Sequence, residues 1–406
     1  MREKKRRALI PLLFLGPGVL AALADNDAGG LISYAVTGAE FGWAVFVPLT
    51  LCLMAVTYTV QELAMRLGAS SGLGYTRLLR ERCGRGWMLF QVAALFLENE
   101  LTLLTEFVGM SAGLELIGLP VFASVTLSAA LALSVALFSG SGAKQRFGLL
   151  LGLFNLLFLV LACFARPALS PAACVSLCAG RRFLWYTAAL VGNSVAPWMI
   201  FYQNGAYLEK SQRAEKIRAG RRDTLVGCIC QSLIAAAVIL IGSSVGTLLP
   251  DAENAGAPEI ARALSQRFGP PAGTLFALGL FDAGLLATVT VSLSSSWSIA
   301  ESFGWSKSMD DSFREAPGFY GIYGFSVLLA AAASLVPALQ RNFVSVFVQA
   351  AGGVLMTPIL VFLTLLTSSR GIMGEGVNTR GQEIRAWFSV GILTIASAAT
   401  IFLSVH

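Results

Sequence analysis

The sequence predicts an all-α polytopic membrane protein with about eleven transmembrane helices, of which the first and sixth are broken. Three observations carry that expectation. Of the 406 residues, 56% are hydrophobic and only 13% charged, whereas soluble domains carry roughly 25% charged residues. The apolar stretches run for the roughly 20 residues that a helix needs to cross a bilayer, and they do not alternate as the strands of a membrane barrel do. Two of the stretches are interrupted at matching places. The composition argues against a soluble enzyme, a disordered chain and a nucleic-acid binder.

In order, the expected spans are 9–38 (interrupted), 42–64, 87–112, 119–139, 147–165, 184–208 (interrupted), 224–248, 272–300, 318–337, 343–367 and 386–405. The chain reads as one transmembrane domain over 1–406. Five spans separate the two interruptions, so about 9–165 and about 184–367 form two repeats, with 386–405 as an extra helix. An odd number of spans per repeat turns the second copy upside down in the membrane. Interrupted segments at matching places in two such halves point to the binding site of a transporter.

The charges set the orientation. Arg166, Arg181, Arg182, Arg262, Arg267 and Arg341 fall on one side of the expected spans, and the remaining 23 of the 29 Lys and Arg residues fall on the other, with the N-terminus. By the positive-inside rule the N-terminus is cytoplasmic. With eleven spans the C-terminus is outside. The net charge of +6 then reports topology, and no polyanionic partner is needed to explain it. A multi-pass protein of the plasma (inner) membrane is expected. The basic start leads into a span with no small-residue cleavage site, so no cleavable signal is expected.

Seven cysteines are present without a CxxC pair. Cys52, Cys163, Cys228 and Cys230 lie in apolar runs, where a free cysteine is usually a small core residue. Cys174 and Cys178 share one loop and can pair if that loop faces an oxidising compartment. The single histidine is the terminal His406, which excludes a histidine-ligated metal or a histidine relay inside the protein.

The first interruption places Asp25, Asn26 and Asp27 before Gly29 and Gly30, and the sixth span carries Pro197 in its middle. Unwound backbone at membrane depth is tolerated where it lines a cavity or is buried in protein. The first half-helix turns its carbonyl end, with partial negative charge, towards the gap. Asp27 adds a full charge there. Pro197 has no N–H, so the Asn193 carbonyl loses its helical partner. A carboxylate, a freed carbonyl and the Asn193 amide oxygen together describe a site for a hard cation. Proline kinks are common in membrane helices and are weak signals alone. An intramembrane carboxylate is costly and usually functional, which makes Asp27 the central candidate and Asp25 a candidate at the cavity wall.

Other acidic residues fall in spans. Glu62 lies one turn from Arg66, and an interfacial ion pair is the reading for both. Glu98 and Glu100 flank Asn99 and point to different faces, while Glu106 shares a face with Glu98. These carboxylates either line a pathway or are buried against polar partners. Asp282 has no assignment. Gln349, before Gly352 and Gly353, either reaches a central cavity or bonds a neighbouring helix; the glycine pair permits close helix packing.

These residues carry a family resemblance. GPG at 16–18 followed by DAGG at 27–30 resembles the GPG and DPGN motifs in the first helix of the NRAMP divalent-metal transporters. VAPWM at 195–199 resembles that family's MPH motif. RLG at 66–68, TEFVG at 105–109, LFALGLFDAGLLATVTVSLSS at 275–295 and Gln349 are similar in order and spacing, over essentially the whole chain. The resemblance implies a LeuT-like inverted-repeat fold with alternating access. It implies Asp27 as the metal-binding carboxylate and Asn193 as a backbone ligand. Gly30 stands where a ligating Asn is expected, and Ala196 where a thioether is expected.

The departures form a chemical pattern. A thioether favours transition metals over Mg²⁺ and Ca²⁺, and Ala196 lacks it. Gly30 removes another direct ligand, and both changes enlarge the pocket. Mg²⁺ gives up water reluctantly, so a roomier oxygen site suits a largely hydrated Mg²⁺. This pattern is similar to the NRAMP-related magnesium transporters. Trp198 stands where the family has histidine, and Leu103 where it has an aspartate. Tryptophan cannot carry a proton near neutral pH. The expectation is a secondary transporter for Mg²⁺, also accepting Mn²⁺, without proton coupling. A proton-coupled Mn²⁺/Fe²⁺ transporter and an amino-acid carrier on the same fold are the alternatives. No enzymatic activity, cofactor, nucleic acid or obligate protein partner is expected; the partners are the carried divalent ion and the lipid bilayer.

Overall fold

A computed structural model describes residues 16–135, 141–165, 180–208, 214–249, 251–252, 255–306, 311–339 and 342–405. Among these there is no strand. Helices follow one another in the order α1 (Pro17–Ala24), α2 (Ala28–Phe41), α3 (Phe46–Ser71), α4 (Tyr75–Cys83), α5 (Arg85–Glu115) and α6 (Val121–Val135), then α7 (Ser141–Phe154), α8 (Leu157–Phe164), α9 (Arg181–Asn193), α10 (Pro197–Leu208) and α11 (Ala214–Val245). The chain continues through α12 (Ala257–Phe268), α13 (Pro270–Phe303), α14 (Pro317–Ser334), α15 (Asn342–Thr367), α16 (Arg370–Met373) and α17 (Arg380–Val405).

Eight helical stretches among the described residues are long and apolar enough to cross a membrane. The first and sixth expected spans are each a pair of half-helices, α1 with α2 and α9 with α10, parted at residues 25–27 and 194–196. Pro17 and Pro197 open the half-helices α1 and α10, where the missing N–H costs nothing because the first turn has no partner for it. Every residue of α1 is buried, and all of α10 except its last residue is buried too. A helix that is apolar all round belongs inside a bundle. Around this pair, α11 packs along α1, α2 and α3, α13 along α5, and α15 along α9 and α17. The outer helices turn Phe122, Phe388 and Ile395 outward, at 71%, 68% and 74% exposure, as a lipid-facing surface requires.

Three features depart from the sequence expectation. The stretches 65–86 and 249–271 read as connections, yet they hold α4 and α12. Both are too charged to look like spans. Each still buries one face, with Tyr75, Leu78 and Leu79 on α4 and Ile260, Ala261 and Leu264 on α12. The fifth span is interrupted between α7 and α8 at Asn155, whose Nδ2 donates to Leu23 O at 3.3 Å. Cys52 and Cys163 are exposed, Cys230 is half-buried and Cys228 is buried, because an apolar helix in a membrane has an outer face as well as a core. Cys174 and Cys178 lie outside the described residues.

The Glu62 and Arg66 pair forms and is more elaborate than a surface bridge. Glu62 Oε1 accepts from Arg66 Nε at 3.0 Å, Arg221 Nε at 2.8 Å and Gln382 Nε2 at 3.3 Å. Arg66 also donates to Gly376 O at 2.6 Å and Asn378 Oδ1 at 2.5 Å. The network ties α3, α11 and the segment before α17 at one end of the bundle.

Candidate functional site

The two breaks face each other inside the bundle. At the first, Asp27 is the N-cap of α2, and its Oδ1 accepts from Gly30 N at 2.5 Å. An aspartate is favoured there because it satisfies a first-turn donor and sits at the positive end of the helix. Gln349 Nε2 reaches the same oxygen at 3.5 Å from α15. Both hydrogen bonds to the Asp27 carboxylate among the described residues thus fall on Oδ1. Gln349 thus bonds a neighbouring helix, at the first break.

Asp25 ends α1 and is held differently. Gln231 of α11 donates through Nε2 to Asp25 Oδ2, and the same nitrogen lies 3.4 Å from Ser194 O in the sixth-span break. Asn26 Nδ2 donates to Gln231 O at 3.2 Å. Gln231 is therefore the strut between the two breaks, with Asp25 bound to it at the wall of the site.

In the sixth span, Pro197 leaves the Asn193 carbonyl without its donor four residues on. Thr57 Oγ1 donates to Ser194 O at 2.8 Å and holds the unwound segment against α3. Ala196 N points at Met199 Sδ, 3.4 Å away. A thioether is thus present one turn beyond Ala196, engaged with backbone. The α9 end approaches α15 closely: a Cβ on Gly192 would stand 2.1 Å from Gln349 O, and one on Gly353 would stand 3.1 Å from Gly192 Cα. Glycine at both places lets the break and Gln349 sit side by side, which is the role of the Gly353 position.

Gly30 is not empty space. A Cβ there would lie 2.7 Å from Asn193 Oδ1 and 2.8 Å from Asp27 Oδ1. The room expected from the small residue is taken by the Asn193 amide, a detail that sequence spacing could not show. Asp25, Asp27, Asn193, Ala196 and Gln349 are 2%, 3%, 2%, 7% and 6% exposed. All five are buried in this conformation. No group of three or more His, Cys, Asp or Glu suited to a metal occurs among the described residues.

Supporting residues surround the breaks. Glu106 Oε2 accepts from Ala28 N at 2.8 Å, so it caps the first turn of α2 beside Asp27. Glu98 Oε1 accepts from Thr102 Oγ1 at 3.0 Å and lies 3.3 Å from where a Cβ on Gly352 would be. Its Oε2 is buried without a hydrogen-bond partner among the described residues. Glu100 is half-buried on another face, and Asn99 Nδ2 donates to Ser294 and Ser295 of α13, both at 2.8 Å. Asp282 is buried and makes no hydrogen bond to either break among the described residues. Trp198 is fully buried, edge-on to Tyr202. Sequence reasoning missed Gln231, Asn155 and Asp223. Asp223 accepts from Gly16 N at 2.6 Å and Gly18 N at 2.7 Å, and from Tyr207 OH at 3.2 Å. The available signal was a polar side chain within or at the mouth of an otherwise apolar run.

Two broken helices whose ends converge on a buried carboxylate define a multi-pass membrane transporter rather than an enzyme. The family is then plain. The chain belongs to the Nramp family, "Natural resistance-associated macrophage protein-like", whose model matches residues 18–403. It is 30% identical over 300 residues to a divalent metal cation transporter MntH of Deinococcus radiodurans, covering 69% of this chain and 66% of that one. An MntH of the same description from Klebsiella pneumoniae is 24% identical over 401 residues, covering 95% and 92%. In fold, the chain is similar to the Eremococcus coleocola manganese transporter crystallised with an aromatic bis-isothiourea compound, with TM-score 0.78, 18% identity and coverage of 95% and 85%. MhsT in complex with L-phenylalanine shares the fold at TM-score 0.63 and 14% identity, covering 96% and 97%.

Proposed function

We propose that this chain moves divalent cations across the plasma membrane by alternating access around Asp27, carrying largely hydrated Mg²⁺, also accepting Mn²⁺, and not moving protons with the metal. The observation that carries the reading is the convergence on one buried point of the Asp27 carboxylate, the Gln349 amide and the end of α9. Asp25, Gly30 and Ala196 complete the wall. The donors are hard oxygens, and the thioether position is Ala196. That set suits a hard divalent ion which keeps part of its water. The charge distribution supports a cytoplasmic N-terminus and an outward C-terminus. One transmembrane domain, with repeats over about 9–165 and about 184–367, accommodates the two breaks.

The competing metal reading, a proton-coupled Mn²⁺/Fe²⁺ carrier, draws on Glu98 and Glu106 beside the first break and on the manganese and divalent-metal names of the relatives. An amino-acid carrier is less well supported. A substrate carboxylate would need free N–H groups at a half-helix N-terminus, and those of Ala28 and Gly30 are already taken by Glu106 and Asp27. The deciding experiment is flux into proteoliposomes with Mg²⁺, Mn²⁺ and Ca²⁺ and a trapped pH-sensitive dye. Uptake of Mg²⁺ and Mn²⁺, with Ca²⁺ carried poorly and a flat dye signal, is expected. Mn²⁺ uptake with neither Mg²⁺ uptake nor Mg²⁺ competition overturns the magnesium reading.

A further inference from the structure

Asn193 ends α9, is 2% exposed, and its Nδ2 has no hydrogen-bond partner among the described residues. The position where a side chain on residue 30 would begin is 2.7 Å from Asn193 Oδ1, 2.8 Å from Asn193 Nδ2 and 2.8 Å from Asp27 Oδ1. The amide of one broken span therefore fills the place of a missing side chain on the other, against the central carboxylate. A buried N–H left without an acceptor is costly, so an amide retained at such a place calls for an acceptor there, such as the oxygen of a water that arrives with a hydrated ion.

We propose that the side chain of Asn193, and not its backbone carbonyl alone, is the selectivity-determining group of the cation site, supplying from α9 the amide that Gly30 cannot supply from α2. The chemistry follows from the amide's two ends. With Oδ1 turned to the gap, it faces the cation or accepts a hydrogen bond from a water in the cation's shell. Its Nδ2, without a partner among the described residues, is left to donate to a water beside the ion. Gly30 is required for this, because any larger residue would occupy the space of the amide. An amide oxygen is a hard donor, so the exchange favours ions that bind oxygen and keep water over ions that need sulfur. The contact also spans the two broken helices, so the ion is held by both repeats at once.

This inference rests on the divalent-cation reading, and its test separates the two. The full chain is purified, its Mn²⁺ affinity is measured at equilibrium in detergent, and Mn²⁺ and Mg²⁺ uptake is measured in proteoliposomes. If neither ion binds or enters with the wild type, the cation reading fails and this inference falls with it. Given wild-type uptake, Asn193→Ala is expected to weaken Mn²⁺ binding about tenfold or more, the size of one hydrogen bond to a charged group. Its KM should rise for both ions, and more for Mg²⁺ than for Mn²⁺, with little change in maximal rate. Asn193→Asp, of the same shape with an added charge, should bind Mn²⁺ more tightly than the wild type, which a packing role would not produce. Moving the amide back with Gly30→Asn in the Asn193→Ala background should restore affinity, whereas Gly30→Asn alone should abolish it. Unchanged Mn²⁺ affinity in either Asn193→Ala or Asn193→Asp overturns the proposal.

Discussion

At the scale of single residues, Asp27 does two jobs that its neighbours cannot share. It caps α2 through Oδ1, and in the proposed site its Oδ2 takes the cation. Asp27→Ala is expected to abolish Mg²⁺ and Mn²⁺ uptake in proteoliposomes while the far-ultraviolet circular dichroism stays that of a folded helical protein. The lost cap costs about 1 kcal/mol, small beside the packing of α2 within the bundle. Normal flux in a folded Asp27→Ala protein would remove it from the site. Ala196 tests the softness of the site separately. Ala196→Met adds a thioether at the break, and the expected result is a lower KM for Mn²⁺ with little gain for Mg²⁺, since sulfur favours the transition metal. Met199 Sδ, already held by Ala196 N, offers the same atom type but is occupied by backbone.

At the scale of elements, the half-helices are held at both ends by groups from other spans. Leu23 O, freed at the end of α1, accepts from Asn155, and Gly16 N and Gly18 N at its start are taken by Asp223. A short half-helix has few internal hydrogen bonds, so these outside partners decide whether it stays wound. Asp223→Ala is expected to speed hydrogen exchange over Pro17–Ala24 and to lower stability by about 1–3 kcal/mol, the cost of leaving buried donors unpaired. Asp223→Asn, which keeps one acceptor, should fall between. At the other bundle end, Arg66 is 2% exposed at its side chain and Glu62 is 5% exposed. Removing one member of a buried ion pair strands the other, at about 3–5 kcal/mol. Arg66→Met is therefore expected to lower the thermal midpoint in detergent well beyond the effect of Arg77→Met, whose exposed partner Glu81 stays in water. Equal midpoints for the two variants would refute the structural weight given to the Glu62 network.

At the scale of the whole molecule, the site is buried and no basic side chain is among the groups bonded to Asp25 or Asp27 in the described residues. Moving an ion of charge two down the membrane potential releases about 4.6 kcal/mol per 100 mV. Without a coupled proton, accumulation in proteoliposomes should therefore follow an imposed inside-negative potential, by on the order of 10³-fold per 100 mV at equilibrium. The trapped pH dye should meanwhile stay flat. Metal-dependent acidification that requires the protein, without an ionophore, would instead assign Glu98 or Glu106 to a proton path.

The sequence by itself determined the membrane class, the two breaks and the presence of a carboxylate, Asp27, at the first of them. Those properties are local: an apolar run, a proline without its N–H and a carboxylate within a span each announce themselves within a few residues of chain. Gln349 was legible as a polar residue near glycines, although its target was not. Tertiary structure alone decided what each polar group bonds. Gln231 links Asp25 to Ser194, Asp223 caps a helix 205 residues away in sequence, and the Asn193 amide fills the space beside Gly30. These pairings join distant spans, and a residue's own neighbours in sequence carry no record of which helix it will face. The short helices α4 and α12 were hidden for a related reason. Their charged faces mask the period of the few apolar side chains, and burial against the bundle, rather than propensity, makes them helical.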